Sequence, residues 1–187
     1  SYSTANWTDI DPTSTFVDNE AECEALNTTA IPDSNFEQAL IDLGFDTAPI
    51  NGSVPTANIS AVTSLDVSNY NIADLTGIED FIALTYLNCR SNELTSLDVS
   101  NNTALITLYC DSNQLTSLDV RNGNNTNFTN FYSTNNPDLT CIFVDDASYS
   151  TANWTDIDPT STFVDSDTSN PTITCPEDQE ESVDANC

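Results

Sequence analysis

Carboxylates are the reactive groups this chain holds in excess. Thirty Asp and Glu face two basic residues, Arg90 and Arg121, with no Lys and no His, for a formal charge of −28. Three acid pairs fall in turn-like segments: Asp145-Asp146, Asp156-x-Asp158 and Asp165-x-Asp167. One use of such pairs is calcium, which takes about six to eight hard oxygens from loop carboxylates and carbonyls. Asp156, Asp158, Asp165 and Asp167 are the candidate ligands, although no EF-hand spacing or glycine-rich nonapeptide accompanies them. The competing reading is solvated acid that keeps a surface protein soluble. Another use is glycoside hydrolysis by two flanking carboxylates. In a chain this rich in Asp some pair is always close, and no nucleophile–base arrangement or cofactor loop goes with it. The chain therefore reads as non-enzymatic, with no cofactor unless calcium.

The residues that are missing narrow the function further. Without His the commonest general base and metal ligand is gone, and without Lys there is no Schiff-base or P-loop chemistry. A surface this anionic repels nucleic acid and anionic lipid, since both need basic patches to bind. No stretch approaches about 18 apolar residues, the length a membrane helix requires. Partners are thus expected to be neither nucleic acid nor inserted membrane.

Two nested repeats supply the elements that position these groups. Ser1–Asp18 and Ser148–Asp165 are the same 18 residues, SYSTANWTDIDPTSTFVD, at an offset of 147. Packing alone tolerates many substitutions, so identity of this length marks a recent tandem duplication. The expected neighbours in the parent chain are identical modules of this one. Within the copy a finer period appears: VTSLDVSNYNI from Val62, LTYLNCRSNEL from Leu84, LITLYCDSNQL from Leu105 and FTNFYSTNNPDL from Phe128, spaced by 22, 21 and 23 residues. Four successive segments following L-x-x-L-x-[LC]-x-x-N-x-L are the signature of a leucine-rich repeat, with Tyr70 at the Asn position of the first marking an edge or capping coil.

The expected fold is an α/β solenoid of short parallel strands. Leu65, Leu87, Leu108 and Phe131 form one inward row, and Val67, Cys89, Cys110 and Ser133 the next. Asn92, Asn113 and Asn136 fall at a turn where a buried amide can satisfy the backbone of adjacent coils. LTSLDV at Leu94 and Leu115 fills the return side. At the open N-terminal end, Ser34-Asn35-Phe36-Glu37 reads as a capping box with Ser34 as N-cap, opening a helix over about 34–43 that stops at Gly44. An irregular aromatic cap with Trp154, Ile157 and Phe163 is expected to seal the other end. The chain divides accordingly: 1–22 as the tail of a preceding module, 23–61 as N-terminal cap, 62–144 as four repeats, 145–165 as C-terminal cap, 166–172 as linker, and 173–187 as the start of another domain. Because it begins inside a motif, it reads as a piece of a longer protein.

The strings IPDSNFEQALIDLGFDT, SLDVSNYNIADLTGIEDF, LxxLxCxxNxLTSLDVSNNTAL and NPDLTCIFVDDASYSTANWTDID resemble acidic secreted leucine-rich-repeat proteins of gliding Gram-negative bacteria, adhesin-like surface proteins often exported by the type IX system. PTITCPEDQEESVDANC, from Pro171, looks like the opening of a hyalin-repeat (HYR) domain, an immunoglobulin-like adhesion module. The resemblance implies an extracellular location and binding or scaffolding rather than catalysis. It also makes Asp46-Thr47-Ala48 similar to an O-glycosylation acceptor of that group.

Six cysteines divide by role. Cys89 and Cys110 lie at inward positions of adjacent coils and read as buried thiols acting as small apolar fillers. A bridge between side chains in register on parallel strands has poor geometry, and zinc lacks His and C-x-x-C partners. Cys23 is expected to pair outside the fragment. Cys141 with Cys175, and Cys175 with Cys187, are competing bridges that suit an oxidising, extracellular setting.

Outward positions of the first strand in each coil line the concave face: Ser64, Asp66 and Ser68; Tyr86, Asn88 and Arg90; Thr107, Tyr109 and Asp111; Asn130, Tyr132 and Thr134. From these, Asp66, Tyr86, Asn88, Arg90, Tyr109, Asp111 and Tyr132 are the candidate ligand-binding residues. Aromatic area beside amides and one Arg suits a glycan or a protein. The plainer reading is that Tyr is good filler on an exposed sheet. Function is then either a binding module or a structural spacer in a long fibre, with a calcium-stiffened stalk as the alternative.

Overall fold

The computed structural model describes residues 27–165. Cys23, Cys175, Cys187, Asp167, the tail at 1–22 and the HYR-like segment lie outside the described residues. The concave sheet is parallel and in register: β3 (Ser64–Asp66), β4 (Tyr86–Asn88), β6 (Thr107–Tyr109) and β8 (Asn130–Tyr132). Leu65, Leu87, Leu108 and Phe131 pair one coil to the next and are at most 4% exposed. Strands of three residues cannot bury their apolar row alone, so the stack is what holds each of them.

The return side is more regular than LTSLDV alone implies. β5 (Ser96–Asp98), β7 (Ser117–Asp119), β9 (Cys141–Phe143) and β10 (Thr162–Val164) form a second parallel sheet. Leu97, Leu118, Ile142 and Phe163 line up as its inward row and are buried. From the coil of β4 onward each coil is thus a two-sided turn of backbone around one core, the solution that lets both arms share hydrogen bonds with the next coil.

The N-terminal end is closed by a hairpin and helices. β1 (Thr28–Ala30) pairs antiparallel with β2 (Ser53–Pro55), α1 spans Ser34–Asp42 and α2 spans Thr56–Ile59. Phe36, Ala39 and Leu40 of α1 are fully buried, and Phe36 stacks with Phe81 at 6.3 Å. The capping box is corrected by the structure. Asp33, not Ser34, is the N-cap, its Oδ1 accepting from the amides of Asn35 and Phe36 at 2.8 and 3.1 Å. Its Oδ2 takes the amides of Ala73 and Asp74 at 2.7 and 3.0 Å, so one carboxylate ties the cap helix to the first coil. Asp competes well with Ser at this position. Glu37 does not reach back. It is fully buried and accepts from the amides of Asn51 and Gly52 at 2.6 and 2.8 Å.

Residues 145–165 carry more regular structure than the irregular cap the sequence implies. α3 (Ala147–Asn153) starts at Asp146, whose carboxylate accepts from the Tyr149 amide, and β10 extends the return sheet. Asp156 bridges Tyr132 in parallel, adding a fifth rung to the concave side. Trp154 stacks on Phe131 at 4.3 Å and meets Phe163 edge-on at 5.6 Å. Aromatic rings thereby fill the end of the leucine row, where no further coil follows within the described residues.

Candidate ligand-binding face

Tyr86, Tyr109 and Tyr132 are all half-buried on the concave sheet. Strand register sets Tyr109 directly beside Tyr132, and their rings stack at 5.0 Å and 18°. Tyr86 belongs to the neighbouring outward row but leans across to Tyr109 at 5.8 Å. The result is a ribbon of three rings across three coils. Such contacts contribute about 0.5–1.5 kcal/mol per pair beyond area burial and leave flat apolar area facing outward.

The flanking groups separate into contact-ready and structural. Arg90 is about half exposed and pairs with Asp111 at 2.9 Å, while the Asp111 side chain is 7% exposed. Asn88 is similarly buried, donating to Asp66 Oδ2 at 3.0 Å and accepting from the Arg90 amide at 3.3 Å. Of the seven candidate residues, Asn88 and Asp111 therefore brace the face, and Asp66, Arg90 and the three tyrosines present surface. Burial raises the Asp66 carboxyl, but the Ser68 hydroxyl and amide, the Asn88 amide and the Arg90 charge outweigh it and hold it below its ordinary value. Burial, with the Asp66 charge and Tyr109 behind it, pushes the Tyr86 hydroxyl up.

Asp145, Asp146, Asp158 and Asp165 each accept from backbone amides. Asp158 takes the amides of Asn135 and Asn136 at 3.0 and 2.6 Å with its two oxygens. Asp145 takes those of Gly123 and Asn125, and Asp165 takes that of Ala147 at 3.0 Å. Asp156 stands apart on the concave rim. Among the described residues there is no group of three or more His, Cys, Asp or Glu placed to hold a metal ion.

Cys89 and Cys110 are buried free thiols, each Sγ lying 3.4 Å from a carbonyl of the next coil, Tyr109 or Tyr132. Burial pushes both thiols well up, aided by the Asp111 charge. Cys141 is disulfide-bonded.

A second set of asparagines, Asn102, Asn122 and Asn125, goes unnoticed in the sequence because N-rich turns are common there. Asn102 donates to the carbonyls of Ile78 and Phe81 at 2.9 and 3.2 Å, and Asn122 donates to that of Asn102 at 3.1 Å. Their signal is the recurrence of Asn three residues after Val99 and two after Val120, at the end of each return strand.

Two parallel sheets, with Asn92, Asn113 and Asn136 bracing the turns of three coils, define a leucine-rich-repeat solenoid. No protein-family model matches the chain. Internalin J of Listeria monocytogenes serotype 4b (strain F2365) is 39% identical over 72 residues, which is 38% of this chain and 8% of that protein. The chain thus spans less than a tenth of the length of this curated relative. Among solved structures, the functional domain of InlJ from Listeria monocytogenes, which includes a cysteine ladder, is 27% identical with a TM-score of 0.48, over 63% of this chain and 34% of that one. An internalin (inlF) from Listeria monocytogenes str. 4b F2365 is 22% identical with a TM-score of 0.42, over 68% and 48%.

Proposed function

We propose that the chain is a non-enzymatic extracellular repeat module of a large surface adhesin or fibre, engaging a glycan or protein through its concave face. The contiguous Tyr86–Tyr109–Tyr132 ribbon carries this reading. Rigid aromatic side chains supply contact area at low entropic cost, the property that makes Tyr common at binding hot spots. Arg90 at the edge of the ribbon adds a planar donor already oriented by Asp111. Similarity to internalin J supports a repeat protein with a binding surface, and resemblance to the gliding-bacterial group carries the finer expectation of type IX export.

A structural spacer is the second reading, favoured by the verbatim duplication of Ser1–Asp18 at Ser148–Asp165. A stalk gains from identical units, and identical modules of the same chain are then the main partners. The two readings separate in one experiment. Beads coated with the full chain are assayed for adhesion to arrays of glycans and extracellular proteins, alongside a Tyr86→Ser/Tyr109→Ser/Tyr132→Ser variant. Adhesion lost in a folded triple variant supports the binding reading. Equal adhesion of both proteins would overturn it and leave the spacer.

A further inference from the structure

One cavity stands outside the tyrosine ribbon yet touches its end. It lies between β8, the cap helix α3 and the strand-like Trp154–Asp156, with a volume of about 200 Å3. Asn130, Tyr132, Tyr149, Asn153, Trp154 and Asp156 are among the residues lining it. Drug-sized ligands occupy roughly 300–1,000 Å3, so this cavity fits a single ring or side chain.

We infer that this cavity is a subsite for one pyranose ring of a neutral glycan, a reading that rests on the concave face being a binding surface. Its walls combine the two things a sugar needs. Aromatic faces pack against the C–H surface of the ring, and Tyr149 is fixed as such a wall because its hydroxyl donates to the Thr126 carbonyl at 3.0 Å. Amides and a carboxylate serve the hydroxyls. Asn153 is held by its own amide, donating to the Tyr149 carbonyl at 2.8 Å, and Asn130 is exposed at the rim. Asp156 is placed by main-chain bonds to β8, the Ser133 amide donating to its carbonyl at 2.9 Å. Its exposed side chain is an acceptor with two oxygens, suited to a pair of adjacent hydroxyls. Trp154, 6% exposed, also lines the cavity.

Charge selects the class of sugar. Neither basic residue of the chain, Arg90 or Arg121, lines the cavity. A sialic or uronic acid would meet Asp156 and a net charge of −28 with no counter-charge. The wall is also reproduced in sequence. Tyr149, Asn153, Trp154, Thr155 and Asp156 recur as Tyr2, Asn6, Trp7, Thr8 and Asp9. An array of such modules would carry a weak subsite many times over, the arrangement by which avidity replaces affinity.

The test uses the full chain, titrated in NMR with the methyl glycosides of glucose, galactose and mannose, with N-acetylglucosamine, and with sialic and glucuronic acids. The Trp indole and Asn side-chain signals report binding. At least one neutral sugar is expected to bind with about millimolar affinity, the range a single ring can supply, and the acids are expected not to. Asp156→Ala and Asn130→Ala, both exposed changes, are expected to weaken that binding at least tenfold. Glu93→Ala, an exposed change of the same charge away from both the cavity and the ribbon, is expected to leave it within twofold. No neutral sugar binding, acids binding as well as neutral sugars, or indifference to both cavity variants would each overturn the subsite. Loss with Tyr86→Ala, a ribbon residue that does not line the cavity, together with indifference to Asp156→Ala and Asn130→Ala, would overturn it while leaving the ribbon as the ligand face.

Discussion

The side-chain amide of Asn113 donates to the carbonyl of Cys89, one coil earlier, at 3.0 Å, and to that of Cys110 in its own coil at 3.1 Å. Its Oδ1 accepts from the Leu94 amide at 3.1 Å. Asn92 and Asn136 repeat the arrangement in the flanking coils. These turns are tight: Ser91, Ser112 and Asn135, the residue before each ladder Asn, have φ of 55°, 60° and 58°. The amide thus satisfies carbonyls and amides that a turn in this conformation leaves without strand partners.

Truncating Asn113 is expected to cost about 2–3 kcal/mol, because buried backbone groups are left unpaired. Asn113→Asp keeps the shape and the acceptor but sets a carboxylate oxygen against two carbonyls. Thermal unfolding of both variants should show Asp at least as destabilising as Ala at neutral pH. A benign Asp would mean that shape, not donation, holds the turn.

Glu37 offers a second check on the same logic at the cap. Its buried carboxylate accepts two amides of the loop leading into β2, so Glu37→Ala should destabilise by about 3 kcal/mol, or about 5–10 °C in Tm. A helix-capping role would instead predict the modest loss of a surface cap. An Asp33→Ala variant, expected to lose about 1–2 kcal/mol, places the N-cap. Equal insensitivity of both would refute the assignment.

Repeats with strong periodicity made the concave rows legible. Leu65, Leu87, Leu108 and Phe131 pair as the period implies, because a coil of near-constant length leaves one way to stack its leucines. The return sheet was harder to read. β9 and β10 carry CIF and TFV in place of SLD, so the period is hidden in residues of different type but equal apolar character. Capping at α1 was misread because Asp33 and Ser34 are both good N-caps and only backbone geometry distinguishes them. At the concave face, register was readable and burial was not. Nothing in the sequence says that Asn88 and Asp111 are covered by the neighbours they brace. The cavity beside β8 depends on how α3 folds back, a tertiary fact with no local signature.

Calcium is expected to have little effect on the described solenoid. Both oxygens of Asp158 are engaged by backbone amides, and those of Asp145 likewise. Binding a cation would require giving up coil-to-coil bonds. Thermal midpoints in millimolar calcium and in chelator should agree within about 2 °C, a shift that corresponds to under about 1 kcal/mol in a chain of this size. A rise well beyond that would show that the acidic turns act as ion sites and would restore the calcium-stiffened stalk.

Cys89 and Cys110 make the solenoid alkali-sensitive, and the direction follows from burial. Both thiols are raised above their ordinary value of 9.0, with desolvation the leading cause. The folded state therefore binds these protons more tightly than the unfolded chain does. Stability is intact below pH 9.0 and falls as pH rises above it, since only the unfolded state readily releases the protons. The comparison that isolates the thiols is with a variant lacking them. Cys89→Val/Cys110→Val follows the residue already used at Val67 in the same inward row. Between pH 8 and 10.5 the wild type should lose midpoint more steeply than this variant. In the native protein at pH 8 a thiol reagent should label neither cysteine until unfolding exposes them. Parallel pH profiles together with rapid native labelling would mean that the ladder opens to solvent, and the sulfurs would then be reactive groups rather than core.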